Sequence, residues 1–188
     1  MTTDHDAHLG RDDKDGFIHV GRASDLIIRG GNNVDPVVIE RALLAYPEVT
    51  GANAVGRPDP CSGEAPVAYV TLRDGSTSTG RTIRDWVSGR ISQRAATPTE
   101  VTVVDALPVT AVGKTNRAAL RADATVREVR SALINAGISI AADSVVCVPT
   151  THSLDVVVDV PDNQHLRTAI SVALDRYPLR WRFTRVQG

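Results

Sequence analysis

Leu107-Pro108-Val109-Thr110-Ala111-Val112-Gly113-Lys114-Thr115-Asn116-Arg117 spells a proline-started, glycine-hinged loop that delivers one lysine just ahead of a short Ala/Leu helix. A lysine ammonium is a compact charge on a flexible stem, suited to neutralising phosphate or carboxylate oxygens. Gly113 lets the backbone turn with no side chain in the way. An exposed loop lysine is ordinarily solvated surface. The phosphate-loop pattern Gly-x-x-x-x-Gly-Lys-Ser/Thr also fails, because Pro108 stands where its first glycine belongs. The meaning of Lys114 therefore depends on the chain around it.

Upstream, residues 101–104 read as a strand that feeds the loop. Before it, Thr82 with Asp85 predicts a capped helix carrying Ile83, Trp86, Val87 and Ile91 on one stripe. Residues 49–56 and 65–72 read as two strands joined by a turn-rich segment over 57–64. Asp35-Pro36 opens another helix, with Ile39, Ala42, Leu43 and Tyr46 inward and Pro47 as its stop. Residues 25–29 form a β-branched strand, and Gly30-Gly31-Asn32-Asn33 is a loop whose residues tolerate positive φ, so it can lie close against a ligand. Residues 16–20 predict a short strand, and 1–15 a polar, flexible arm. Strands alternating with helices imply an α+β domain, a small mixed sheet with covering helices.

Downstream of the loop, a helix over 116–121 is followed by a segment with its own rhythm. Val126, Val129, Leu133 and Ile134 make a helical stripe, residues 145–148 and 154–160 two strands, Asp162 the cap of a helix with Leu166, Ile170 and Leu174, and residues 179–184 a last strand. That order, αββαβ, predicts a small split βαβ-like module. The expected domains are thus an arm at 1–15, a main domain at 16–122 and an accessory module at 123–188. Arg180 and Arg182 project to one side of the last strand. A solvated face accounts for them, and a docking patch for an acidic carrier protein or a CoA phosphate is the sharper alternative.

Composition narrows the function. The 188 residues carry a formal net charge of −1, which argues against a protein that coats nucleic acid or membrane through bulk charge. Cys61 and Cys147 lie far apart with no close-spaced Cys/His cluster, so no metal site and no disulfide framework is expected. The polar, acidic start and the lack of a long apolar run point to a cytoplasmic setting without a membrane partner.

Four separated blocks together resemble the carboxyl-terminal lid of adenylate-forming enzymes, the acyl-CoA synthetases and their relatives. They are the stretch from Gly21-Arg22-Ala23-Ser24 through Gly30-Gly31-Asn32-Asn33-Val34-Asp35-Pro36 to Ile39-Glu40; Tyr46-Pro47-Glu48-Val49 with Val55-Gly56-Arg57-Pro58-Asp59; Gly63-Glu64-Ala65-Pro66-Val67-Ala68-Tyr69-Val70; and the lysine loop. The resemblance covers about residues 10–121. It implies that Lys114 is catalytic, bridging carboxylate and α-phosphate as an acyl-adenylate forms, that Ser24 sits at the hinge, and that Gly30, Gly31 and Asn32 form the thiolation loop beside a pantetheine arm. It implies a CoA or carrier contact near Arg117 as well.

Two departures accompany the match. Ser24 stands where the family usually has aspartate or lysine, and His8 falls where its ribose-binding aspartate belongs. The large domain that holds ATP and the acid does not occur in these residues, and no substitute phosphate loop does either. The resemblance thus implies an incomplete acid–thiol ligase, inactive and binding no cofactor alone. ATP/Mg and CoA or phosphopantetheine enter only in a complex with a separate adenylation domain, and an acyl carrier protein is a further partner. The alternative is a non-catalytic carrier- or ligase-binding module derived from such a lid.

Overall fold

The computed structural model describes residues 12–13, 16–17, 25–150 and 154–184. β1 (Asp12–Asp13) and β2 (Gly16–Phe17) pair antiparallel. The remainder of the expected arm and of the 16–20 strand lies outside the described residues.

β3 (Ile27–Arg29) and β4 (Asn32–Val34) form a hairpin in which only Gly30 and Gly31 turn. Both have positive φ, 54° and 78°, the requirement of the two-residue turn that matches strand twist. Asn32 and Asn33, expected in a loop, therefore belong to the ladder. α1 (Pro36–Leu44) starts as expected. Asp35 accepts a hydrogen bond from the Val37 N–H at 2.9 Å, and Pro36 occupies the first turn, where its missing N–H costs nothing.

β5 (Val49–Asp59) and β6 (Gly63–Leu72) run antiparallel straight through most of the segment expected to be a loop. β5 is the sheet edge, so Pro58 removes no ladder bond, and the connection shrinks to residues 60–62. Asp59 closes that turn, its Oδ1 accepting from the amides of Cys61 (3.0 Å) and Ser62 (2.7 Å) and from the Ser62 hydroxyl (2.8 Å). Partial burial pushes this carboxyl up, but the Ser62 and Cys61 donors and nearby Arg57 outweigh it and hold the group below its ordinary value. A depressed folded-state value adds stability above the unfolded value, and that stability disappears as pH falls through the folded one. Urea unfolding followed below about pH 4 should therefore show a steeper loss for the native chain than for Asp59→Asn; parallel pH profiles would contradict this.

α2 (Gly80–Ser88) begins three residues before the expected start, because Thr79, not Thr82, is the cap: its Oγ1 accepts from the Thr82 N–H at 3.2 Å. Ile83 and Val87 are buried, and Trp86 meets Tyr46 of the α1 end edge-to-face at 5.3 Å. A Cβ on Gly80 would stand 1.9 Å from the Val101 carbonyl oxygen, so the helix start lies directly on β7 (Glu100–Val103). Gly80→Ala, which helix propensity alone would favour, is expected to destabilise the fold by about 1–3 kcal/mol through this overlap. A higher urea midpoint would refute it.

β7 runs parallel to β6 on the side where β3 also pairs, and the sheet order is β4-β3-β6-β5. Its two faces are covered differently. Ile27, Ile39, Leu43, Val70, Ile83 and Val87 build the core beneath α1 and α2. Val55, Val67 and Tyr69 face the opposite way, against Leu120 and Ala124 of α3.

α3 (Arg117–Asn135) is one 19-residue helix capped by Asn116, which accepts from the Ala119 N–H at 3.1 Å. Two helices were expected here, and the boundary expected at 122/123 falls in the middle of this one. Its second half supplies Val129 and Leu133 to a separate core with β8 (Val145–Pro149), β9 (Leu154–Val158), α4 (Gln164–Leu174) and β10 (Arg180–Phe183). α4 is capped by Asn163 rather than the expected Asp162. The order αββαβ is as read from the sequence, but the sheet order β10-β9-β8 makes the parallel pair β9 and β10 direct neighbours. The crossover is therefore an unsplit βαβ, with α4 between adjacent strands.

Polar contacts also tie the tail to the main sheet. Arg57 on β5 forms ion pairs at 3.0 Å with Glu100 on β7 and at 3.0 Å with Glu128 on α3. The Tyr177 hydroxyl, just after α4, donates to Glu128 at 2.9 Å, and burial together with this carboxylate pushes the phenol up to about 12. Among the described residues no helix is long and apolar enough to cross a membrane.

Candidate functional site

The lysine loop is a small hairpin built by its own backbone. Val109 and Thr115 form an antiparallel bridge, the Thr110 N–H donates to the Lys114 carbonyl at 2.7 Å, and the Gly113 N–H donates to the Thr110 carbonyl at 2.9 Å. The Asn116 N–H closes it onto the Pro108 carbonyl at 2.7 Å, so the cap of α3 and the foot of the loop are one structure. Gly113 has φ 77°, a conformation costly for any residue with a Cβ. This turn leaves Lys114 exposed at the rim of an open recess of about 640 Å³, shared with Asp25, Asn53, Thr110, Val112, Thr115 and Arg117. Val112, 80% exposed, and Val109, 63% exposed, leave apolar surface in solvent on the same loop.

Arg117 does not face solvent freely. Its guanidinium donates to the Ala54 carbonyl at 3.0 Å and to Glu40 Oε2 at 3.1 Å, makes a closer ion pair of 2.7 Å with Glu40 Oε1, and stands 3.8 Å from Asp25. Glu40 in turn accepts the Ala54 N–H at 2.9 Å. One carboxylate on α1 thus clamps the first residue of α3 to β5. Arg117 anchors the lysine loop through its pairing with Glu40, and it also borders the recess beside Lys114. Sequence reasoning placed Glu40 inside a motif without giving it this role, because the contact spans 77 residues of chain and follows no local spacing.

The glycine turn lies elsewhere. The Gly30 N–H donates to the Ser62 carbonyl at 2.7 Å, and Glu64 Oε2 accepts the Ile28 N–H at 2.9 Å, which pins the hairpin to the β5–β6 turn. The Asn32 amide folds back onto the carbonyls of Arg29 (3.2 Å) and Gly30 (3.3 Å). A Cβ placed on Gly30 or Gly31 would meet nothing within 4 Å, so the space beside the turn is open. Asn53 marks the lysine end of β5 and Asp59 the glycine end, six residues or about 20 Å apart. The structure therefore separates the two expected functional elements instead of bringing them together.

Ser24 and His8 lie outside the described residues, as does His152. His165 is exposed. Arg180 is exposed and 3.6 Å from Asp155, and Arg182 is exposed two residues on. Burial pushes the Cys147 thiol up to about 11, so it is not a thiolate nucleophile. Among the described residues no group of three or more His, Cys, Asp or Glu could hold a metal ion.

Residues 38–114, from α1 to the lysine itself, match the family described as AMP-binding enzyme C-terminal domain. That match takes in 77 of the 188 residues, so the likeness belongs to this segment. Its similarity to whole enzymes is regional. It is 45% identical over 123 residues to a marinolic acid–CoA ligase from Pseudoalteromonas sp., covering 65% of this chain and 19% of that protein. It is 44% identical over 112 residues to an acetyl-coenzyme A synthetase from Deinococcus radiodurans, covering 59% and 17%. The ATP-bound structure of MatB from Rhodopseudomonas palustris matches with a TM-score of 0.56 at 33% identity, over 61% of this chain and 23% of that one. The chain thus spans about a fifth of the length of the acyl-CoA ligases it resembles. The mixed α+β fold matches that structure, and the matched segment ends at Lys114, before α3 and the tail begin.

Proposed function

We propose that this chain is a lid that supplies Lys114 and the glycine turn, in trans, to a separate adenylation domain, for ATP-dependent activation of a carboxylic acid and its transfer to a CoA or carrier-protein thiol. The observation that carries the reading is the display of Lys114, an exposed ammonium beside an open recess, on a loop braced by three backbone hydrogen bonds and by the Lys114 N–H donating to the Thr110 hydroxyl. In an adenylating pose that ammonium lies between the acid's carboxylate and the α-phosphate, where a preorganised positive charge meets charge developing in the transition state. Val109 and Val112 then become the apolar skirt that the large domain covers. ATP/Mg is held by the large domain. For the thiol step the lid turns, and Gly30 and Gly31, with no side chains to obstruct it, border the pantetheine arm. Their placement at opposite ends of β5 supports such a division of labour, with each element serving its own pose.

The test is reconstitution. An acyl-CoA ligase truncated before its own lid, mixed with this chain, ATP and a panel of acids, is expected to release pyrophosphate and form thioester, whereas neither component does so alone. Unchanged rates on mixing across several large domains would reject the trans reading.

A further inference from the structure

The tail carries a second surface, independent of the lysine loop. Directly paired residues of a sheet share a face, and the register of the tail sheet sorts its residues into two sets. Trp181, Val156 and Cys147 form one row and Phe183, Val158 and Val145 the next, both packed into the core under α3 and α4. The opposite face consists of the rows Arg182, Val157, Val146 and Arg180, Asp155, Val148. None of these six belongs to that core. Val146 is 47% exposed and Val148 40%, while Val157, on the middle strand, is reduced to 8%. The face is thus divided lengthwise, apolar along β8 and cationic along β10.

We propose that this face docks an acidic amphipathic α-helix of a partner protein. Three strands spaced about 4.8 Å apart make a strip about 10 Å wide, the diameter of one helix with its side chains. A helix lying along the strands would set an apolar stripe on Val146, Val157 and Val148 and a row of Glu or Asp against Arg182 and Arg180. Asp155 offsets Arg180 in part at 3.6 Å, while Arg182 faces Val157 across the ladder instead of a carboxylate. Because the whole chain is at −1, the attraction is local and does not come from net charge. A strip of this size lies below the area of a stable interface, so the binding is weak, fast and salt-sensitive. Nothing in this proposal requires the lid reading.

The experiment uses the full chain and a pair of synthetic helical peptides, each with leucines at i, i+3, i+4 and i+7 and flanked either by Glu or by Lys. The Glu peptide is expected to bind, measured by fluorescence anisotropy, with affinity falling at least tenfold between about 50 and about 300 mM salt, and the Lys peptide not to bind. The double variant Arg180→Glu/Arg182→Glu should abolish binding while circular dichroism shows the fold retained, since both side chains are exposed. Val148→Glu, at the apolar edge, should weaken it separately. Equal binding of the two peptides, no binding of the Glu peptide, or indifference to the arginine reversal in a folded variant would each overturn the proposal.

Discussion

Lys114→Ala in the reconstituted ligase is expected to lower the rate of adenylate formation by about 10²–10³, equivalent to ~2.7–4 kcal/mol, the range seen when one preorganised donor to a developing charge is removed. The side chain is exposed and the loop is held by backbone atoms, so the variant should fold and unfold like the native chain. Thioester formation from pre-formed acyl-adenylate should survive, because the glycine turn stands at the other end of β5. Pyrophosphate release and single-turnover thiolation, measured side by side, separate the two. Equal losses in both half-reactions would mean that Lys114 acts through lid structure, and no loss in either would remove it from the chemistry.

Glu40→Ala should act through structure instead. It deprives Arg117 of its closest partner and leaves the Ala54 N–H unsatisfied in a largely enclosed position, with the Glu40 side chain only 12% exposed. Breaking a fully buried pair costs about 3–5 kcal/mol, and the partial access of Arg117 reduces the expectation here to about 2–4 kcal/mol of unfolding free energy. The foot of the lysine loop should loosen with it, seen as faster amide exchange at Asn116 and Thr110, whose bonds close the hairpin. Native urea stability in this variant would show that water replaces the carboxylate without cost.

Much of this architecture was legible where local chemistry decides it. Asp35-Pro36 announced α1, Asn116 began α3 where the Ala/Leu run began, and Gly113 marked the turn that exposes Lys114. The errors arose where tertiary context overrode a local signal. Pro58 read as a loop residue, but an edge strand tolerates it. Thr82 and Asp162 are acceptable caps by type, yet the neighbouring Thr79 and Asn163 hold the positions that the packed helices use. In the site, the exposed lysine and the glycine pair were readable as motifs. The Glu40–Arg117–Ala54 clamp was not, since it joins three distant segments through side-chain reach alone.

The boundary expected at 122/123 falls inside one helix that serves two cores without interruption. α3 gives Leu120 and Ala124 to one and Val129 and Leu133 to the other over a length of about 28 Å. A tail mounted on such a rod, and bolted by Arg57, Glu128 and Tyr177, has no orientation of its own to choose. One unbroken helix thus joins the foot of the lysine loop at its start to the core of the tail at its end, so working tip and handle are cut from one piece.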